Sequence, residues 1–175
     1  MDVKLENEQQ IIKQCQSGDL RAFEKIYYQY QDGMYRCAYR MLGSKEDSED
    51  AMQLTFIKLY HSIQKFKGEA KLSTYIFRIL FNVCYDLRRK KRKTTDINYQ
   101  EPVFRPQNEL ELHLDEAIRA LPEKMRACFI LFAIEGFRQN EIADMLNVTI
   151  GTVKAHIFQA KDKLKKSLKG ELIIA

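Results

Sequence analysis

The sequence predicts an all-α protein: two small helical domains joined by a flexible linker, the second a four-helix domain with a helix-turn-helix. Three observations predict it. Apolar residues recur at i, i+3, i+4, i+7 along most of the 175 residues, and no stretch alternates as a half-buried strand would. That periodicity lapses from Thr94 to about Asn108, where Asn98, Pro102, Pro106 and Asn108 mark a linker between domains over 1–93 and 109–175. Lastly, the run from Glu141 to Ile157 reads as two short helices around a tight turn.

Taken in order, residues from about Leu5 to Gln16 contribute a first short helix. A longer one follows, with Phe23, Ile26, Tyr27, Tyr30, Met34, Cys37, Ala38 and Met41 inward, Asp19 as its cap and Gly43 as its stop. Ser44 with Asp47 three residues on resembles a capping box and opens a helix towards Phe66, with Met52, Phe56, Leu59, Tyr60 and Ile63 facing in. Lys67-Gly68-Glu69-Ala70 breaks it. The next helix, from about Ser73, buries Ile76, Ile79, Leu80, Val83 and Leu87 and ends in a basic run. Beyond the linker, Leu110, Leu114, Ala117, Ile118 and Leu121 resume helical spacing. It pauses at Pro122, continues through Met125, Phe129 and Phe132, and stops at Gly136.

In the helix-turn-helix, Ile142, Ala143 and Leu146 line the first helix, Asn147 suits the turn and Val148 plugs the corner. Thr149 caps a second helix with Val153, Ile157, Ala160 and Leu164 inward. Gly151, Ala155, Phe158, Gln159 and Asp162 then point outward, flanked by Thr152 and Lys154, as a helix entering a DNA major groove requires. Ala143 and Gly151 are expected where the two helices cross closely. Lys161, Lys163, Lys165, Lys166 and Lys169 form a tail for backbone phosphates.

Composition narrows the class. Hydrophobic residues make up 45% of the chain, enough for a core, and the formal charge is only +5, so its distribution matters more than its total. Arg88-Arg89-Lys90-Lys91-Arg92-Lys93 is unbroken cation, whereas Glu46, Asp47, Glu49 and Asp50 form a separate acidic patch, implying one polyanion-facing side. The acidic cluster suits the first turn of a helix, where the macrodipole favours carboxylates, and no His, Lys or Ser completes a catalytic site. Cys15, Cys37, Cys84 and Cys128 are too scattered for metal ligation and suit buried free thiols of a reducing compartment. His61, His113 and His156 are scattered likewise, so neither metal nor cofactor is expected. Without an apolar run long enough to span a bilayer or a signal peptide, the sequence predicts a cytoplasmic protein.

Two helix faces carry a second message. Lys71, Thr74, Tyr75, Arg78, Phe81, Asn82, Tyr85 and Arg89 lie opposite the core stripe of their helix. Cations interleaved with aromatics suit single-stranded nucleic acid, although aromatics at this spacing equally suit packing against a neighbouring helix. Gln53, Leu54, Ile57 and His61 likewise face away from the Met52 stripe, which either offers a helix-sized partner a surface or is ordinary surface scatter.

The order of motifs resembles a family. Asp50-Ala51-Met52-Gln53-Leu54-Thr55-Phe56, Phe66-Lys67-Gly68, Thr74-Tyr75-Ile76-Phe77-Arg78-Ile79, Asn82 and Asp86-Leu87-Arg88-Arg89 resemble the second region of bacterial RNA polymerase sigma factors of the extracytoplasmic-function group. Leu121-Pro122-Glu123-Lys124-Met125-Arg126, Glu135-Gly136-Phe137, Glu141-Ile142-Ala143 and Gly151-Thr152-Val153-Lys154 resemble its fourth region. The resemblance implies core RNA polymerase, through the clamp coiled coil of its large subunit, as the partner of Asp50, Gln53, Leu54 and Ile57. It implies minus-10 recognition and melting by Phe66, Lys71, Tyr75, Arg78, Asn82, Arg88 and Arg89, with base capture at Phe66, Tyr75 and Asn82. It implies minus-35 readout by Gly151, Thr152, Lys154, Ala155, Phe158 and Gln159, and an anti-sigma factor as a further partner. The chain departs from the pattern at Leu54, where an acidic residue is usual, at Tyr75, where many relatives carry Trp, and at His156 and Gln159, often Arg. Two other classes compete: a stand-alone helix-turn-helix regulator with an N-terminal sensing or dimerisation domain, and an enzyme acting on nucleic acid, which lacks a convergent acid, base or metal cluster.

Overall fold

The computed structural model describes the backbone of residues 7–94 and 109–172 and the side chains of 7–91 and 113–168. Leu5, the linker over 95–108 and the side chains of Arg92, Lys93, Leu110 and Lys169 lie outside the described residues. Among the described residues there are eight α-helices and no strand.

Helix α1 (Glu8–Gln16) lays Ile11 and Cys15 on the core, and Gln16 Nε2 donates to the carbonyls of Ile63 (3.2 Å) and Phe66 (2.8 Å), tying down the segment after α3. Helix α2 (Leu20–Leu42) starts where expected, since Asp19 accepts from the Arg21 (2.8 Å) and Ala22 (3.3 Å) amides. It stops at Gly43, whose φ of 76° is the left-handed conformation a side chain would resist. Ser44 accepts from the Asp47 amide at 3.3 Å and opens α3 (Lys45–Ser62), which runs into a tight turn over Ile63–Lys65.

The inner stripe of α3 differs from the apolar count. Ser48, Ala51, Thr55, Phe56 and Leu59 are buried, whereas Met52 is only partly so and Tyr60 is 42% exposed. Ser48 and Thr55 return their hydroxyls to the Ser44 (2.5 Å) and Ala51 (2.6 Å) carbonyls, so these small polar groups pack without an unpaired donor. Tyr27 likewise emerges, at 37% exposed.

Helix α4 (Leu72–Thr94) rests on α2 and α3 along one side and on the helix-turn-helix along another. It therefore buries more than one stripe: Phe81 and Thr74, expected outward, are 0% and 7% exposed, and Tyr85 is half-buried. In the second half, Pro122 precedes α6 (Glu123–Phe129), which follows α5 (Glu109–Ala120). After α6 comes one wide turn over Ile130–Ile134, closed by the Glu135 amide on the Ile130 carbonyl at 3.1 Å. Then α7 (Gln139–Leu146) and α8 (Ile150–Leu172) complete the helix-turn-helix.

The two halves share one continuous apolar core. Across the seam Arg40 Nε pairs with Asp115 at 2.9 Å, Cys37 donates to Glu135 at 3.1 Å, and the Phe77 and Phe137 rings meet edge-on at 5.2 Å. Arg88 and Arg126 each donate at 2.9 Å to the Met41 carbonyl, at the negative end of α2. Arg126 also donates to the carbonyls of Leu121 (2.9 Å) and Arg119, and burial beside Arg88 lowers its pKa to about 10, so it stays charged at neutral pH.

Candidate nucleic-acid interface

The helix-turn-helix is built from local signals. Asn147 takes the left-handed conformation (φ 52°) at the end of α7, and the Val148 amide reaches back to the Ala143 carbonyl at 3.0 Å. The Glu141 carboxylate accepts from the Arg138 amide at 2.8 Å at the start of α7. Thr149 accepts from the Thr152 amide at 3.1 Å and so caps α8, whose Val153, Ile157, Ala160 and Leu164 are buried. Gly151, Lys154, Ala155, Phe158, Gln159 and Asp162 are exposed, Phe158 by 76%, and Thr152 partly so. Gly151 is not a crossing point. A Cβ there would meet only the Thr149 hydroxyl, at 3.7 Å, because this residue sits on the outer face, whereas Ala143 is buried as expected.

Lys71, just before α4, and Arg78, Asn82 and Arg89 along it are exposed, while Phe66 of the preceding loop and Tyr75 are partly buried with their rings 4.9 Å apart. This row sits beside the loop that Gln16 holds through the Phe66 carbonyl. Arg88 stands apart from the row: besides the Met41 carbonyl it meets Glu123 at 3.7 Å, so its guanidinium faces the second half. The charge is also less polarised than the sequence suggests. Lys91 of the basic run pairs with Asp47 of the acidic patch at 2.5 Å, because the end of α4 lies beside the start of α3. Asn82 lines a cleft of about 210 Å³ together with Tyr85, Lys124, Cys128, Leu146, Val148 and His156. The His156 side chain is partly buried there, its Nδ1 without a partner among the described residues.

On α3, Asp50 and Gln53 are exposed, Leu54 is 39% and Ile57 54% exposed. The apolar surface extends further than the sequence indicated. Tyr60 packs its ring on Phe23 at 5.3 Å and Tyr27 on Phe56 at 4.7 Å, so with Tyr28 they leave an aromatic area beside Ile57. Counting apolar residues at helical spacing placed Tyr27 and Tyr60 inside; their amphipathic rings instead bury one face and expose the other.

Cys15, Cys37, Cys84 and Cys128 are free and buried, and desolvation raises all four thiols, to about 11, well above the usual value, to about 12 and to about 11 respectively. Among the described residues no group of three His, Cys, Asp or Glu could hold a metal ion, and no helix is long and apolar enough to cross a membrane.

The chain as a whole is similar to known proteins. The family description Sigma-70 region 2 matches residues 26–94, and Sigma-70, region 4 matches 112–164. The chain is 33% identical to the ECF RNA polymerase sigma factor SigW of Bacillus subtilis, over 90% of this chain and 95% of that protein. It is 26% identical to the RNA polymerase sigma-H factor of Pseudomonas aeruginosa, over 93% and 94% respectively. Among solved structures it resembles CnrH in complex with the cytosolic domain of CnrY, with a TM-score of 0.75 and 25% identity over 94% of this chain and 99% of that one. The sigma factor RpoE of Bartonella quintana, solved with the anti-sigma factor NepR, has the same fold, with a TM-score of 0.73 at 22% identity over 84% of this chain and 96% of that one. The chain therefore belongs to the sigma-70 family of RNA polymerase sigma factors, in its extracytoplasmic-function group, whose members direct transcription initiation at promoters.

Proposed function

We propose that this sigma factor divides promoter recognition among the three surfaces described above. Helix α8 reads the minus-35 element through Gly151, Thr152, Lys154, Ala155, Phe158 and Gln159. The loop after α3 and the exposed side of α4 melt the minus-10 element with Phe66, Lys71, Tyr75, Arg78, Asn82 and Arg89, and Arg88 joins them once it leaves Glu123 and the Met41 carbonyl. The outer face of α3 docks on the clamp coiled coil of the polymerase large subunit through Asp50, Gln53, Leu54 and Ile57. The observation that carries the reading is the exposed amide and cations of α4 beside the paired Phe66 and Tyr75 rings, on the same chain as an exposed helix-turn-helix face. A flipped base gives up stacking and pairing, and an aromatic face with an amide that both donates and accepts can replace them.

On this reading the division at 94–108 separates two working units. The minus-35 and minus-10 elements are named for positions about 25 base pairs apart, roughly 85 Å at about 3.4 Å per pair. Asn82 and His156 share one cleft, so the halves have to part before both elements are engaged. We place this action in the cytoplasm, with no catalytic step supplied by the chain itself, and the family resemblance supports an anti-sigma factor as an additional partner.

Permanganate reactivity of unpaired thymines on a promoter that the holoenzyme transcribes tests the reading. Asn82→Ala should slow strand opening more than it weakens closed-complex binding, whereas Arg89→Ala should reduce binding and its salt dependence. Wild-type melting by Asn82→Ala on duplex DNA refutes base capture. Specific binding by the isolated chain, unchanged by core polymerase, would instead favour a stand-alone helix-turn-helix regulator.

A further inference from the structure

The outer strip of α8 carries several polar side chains, and the structure commits most of them elsewhere. The Thr152 hydroxyl lies 2.9 Å from that of Thr149 in the cap. His156 turns into the cleft beside Asn82. Lys161 lies over the Phe132 ring at 5.2 Å, and Asp162 pairs with Lys166 at 2.8 Å. Lys154 and Gln159 are exposed, and among the described residues neither side chain has a hydrogen-bond partner.

Of these two, Lys154 offers only donors, so it can meet a phosphate or the acceptor edge of guanine. Gln159 is the amide of the strip, with a donor and an acceptor on one planar group. That pattern complements adenine, which presents N7 as acceptor and the N6 amino group as donor in the major groove, and mismatches guanine, which presents two acceptors. Ala155 stands one turn before Gln159, and the exposed Phe158 ring is its neighbour. Two apolar groups beside the amide suit thymine methyls, the apolar feature of an A·T pair in that groove.

Resting on the groove reading of α8, we propose that Gln159 is a specificity-determining residue that selects adenine at one position of the minus-35 element. The eight steps along the helix from Gly151 to Gln159 rise about 12 Å, so Gln159 addresses the far end of a stretch of three to four base pairs. Lys154, set about 140° around the helix from Gln159, meets a different base or the backbone.

The test uses holoenzyme assembled from the full chain and core polymerase on a promoter library randomised through the minus-35 region, each promoter linked to a barcode in its transcribed region and the transcript barcodes sequenced. Wild type should prefer adenine at one position by about 5- to 150-fold. Gln159→Ala should flatten that position and leave the others, and Gln159→Arg should move it to guanine. On the selected promoter, 7-deazaadenine at that position should cost wild type what Gln159→Ala costs, and cost Gln159→Ala nothing further. If Lys154→Glu alters the profile while both Gln159 variants keep the wild-type one, adenine readout by Gln159 is wrong and the groove reading stands. If Lys154→Glu, Gln159→Ala and Gln159→Arg all keep the wild-type profile, α8 does not read the groove and both fail. A residue-159-dependent position at which wild type selects a G·C pair in either orientation also overturns the proposal, whereas thymine there is the adenine of the opposite strand and supports it.

Discussion

Breaking the Arg40 to Asp115 pair should release the two halves from one another. The pair joins α2 to α5 at 2.9 Å, and the two side chains are only 16% and 12% exposed, so little water screens them. An exposed pair would contribute at most about 1 kcal/mol, and stranding one partner of a fully buried pair costs about 3–5 kcal/mol. With both side chains mostly withdrawn, about 2 kcal/mol is expected, a change of roughly 30-fold in the ratio of closed to open molecules. Arg40→Ala should shift that ratio and Asp115→Ala should shift it similarly, because each leaves the other charge dehydrated. The double variant should add little to either. Fluorescence energy transfer between dyes on Glu24→Cys and Lys163→Cys reads the ratio; both positions are exposed and the native cysteines are buried, so labelling is selective. Far-ultraviolet circular dichroism should stay unchanged. Simple addition of the two single effects, or unaltered transfer efficiency in all three variants, would refute the reasoning.

Three further outcomes are expected. Lys154→Glu, or a bulky residue at Ala155, should weaken promoter discrimination by about 1–3 kcal/mol per lost base contact without unfolding the second half, read by transcription from promoter variants and by circular dichroism. Leu54→Asp or Ile57→Asp should weaken association with core polymerase by about 1–3 kcal/mol with helix content intact; loss of the helix signal would place these residues in the core. Arg126→Met should lower the urea midpoint, since the Leu121 and Arg119 carbonyls lose their guanidinium at roughly 1–3 kcal/mol each, while Met41 keeps Arg88. A midpoint equal to wild type would mean that relief of the buried charge offsets those bonds.

Helix boundaries were legible because the interactions that set them span three or four residues. Asp19, Gly43, Ser44, Pro122, Asn147 and Thr149 all start or stop helices where their chemistry says they should. The wide turn over Ile130–Ile134 was not legible, since its apolar residues suit an ordinary helix as well. The outer face of α8 was also legible: this helix packs along one side and carries a single apolar stripe, so what lies opposite must be exposed.

A helix with neighbours on two sides does not obey that inference. Helix α4 packs on α2, α3 and the helix-turn-helix, Phe81 and Thr74 are buried, and Arg88 is turned towards Glu123 of α6 and Met41 of α2, although their spacing alone placed the first two outward. Polar groups that satisfy themselves, such as Ser48 and Thr55, were invisible to an apolar count for the opposite reason. The seam between the halves lay furthest from reach. Its bonds join residues 75, 85 and 98 positions apart, as in Arg40 with Asp115, Arg126 with Met41 and Cys37 with Glu135. The sequence by itself determined the α-helix boundaries, the family and the exposed face of α8. Only the tertiary structure decided which side chains are already engaged, because a contact between distant segments depends on where whole helices come to rest and leaves no period in the chain.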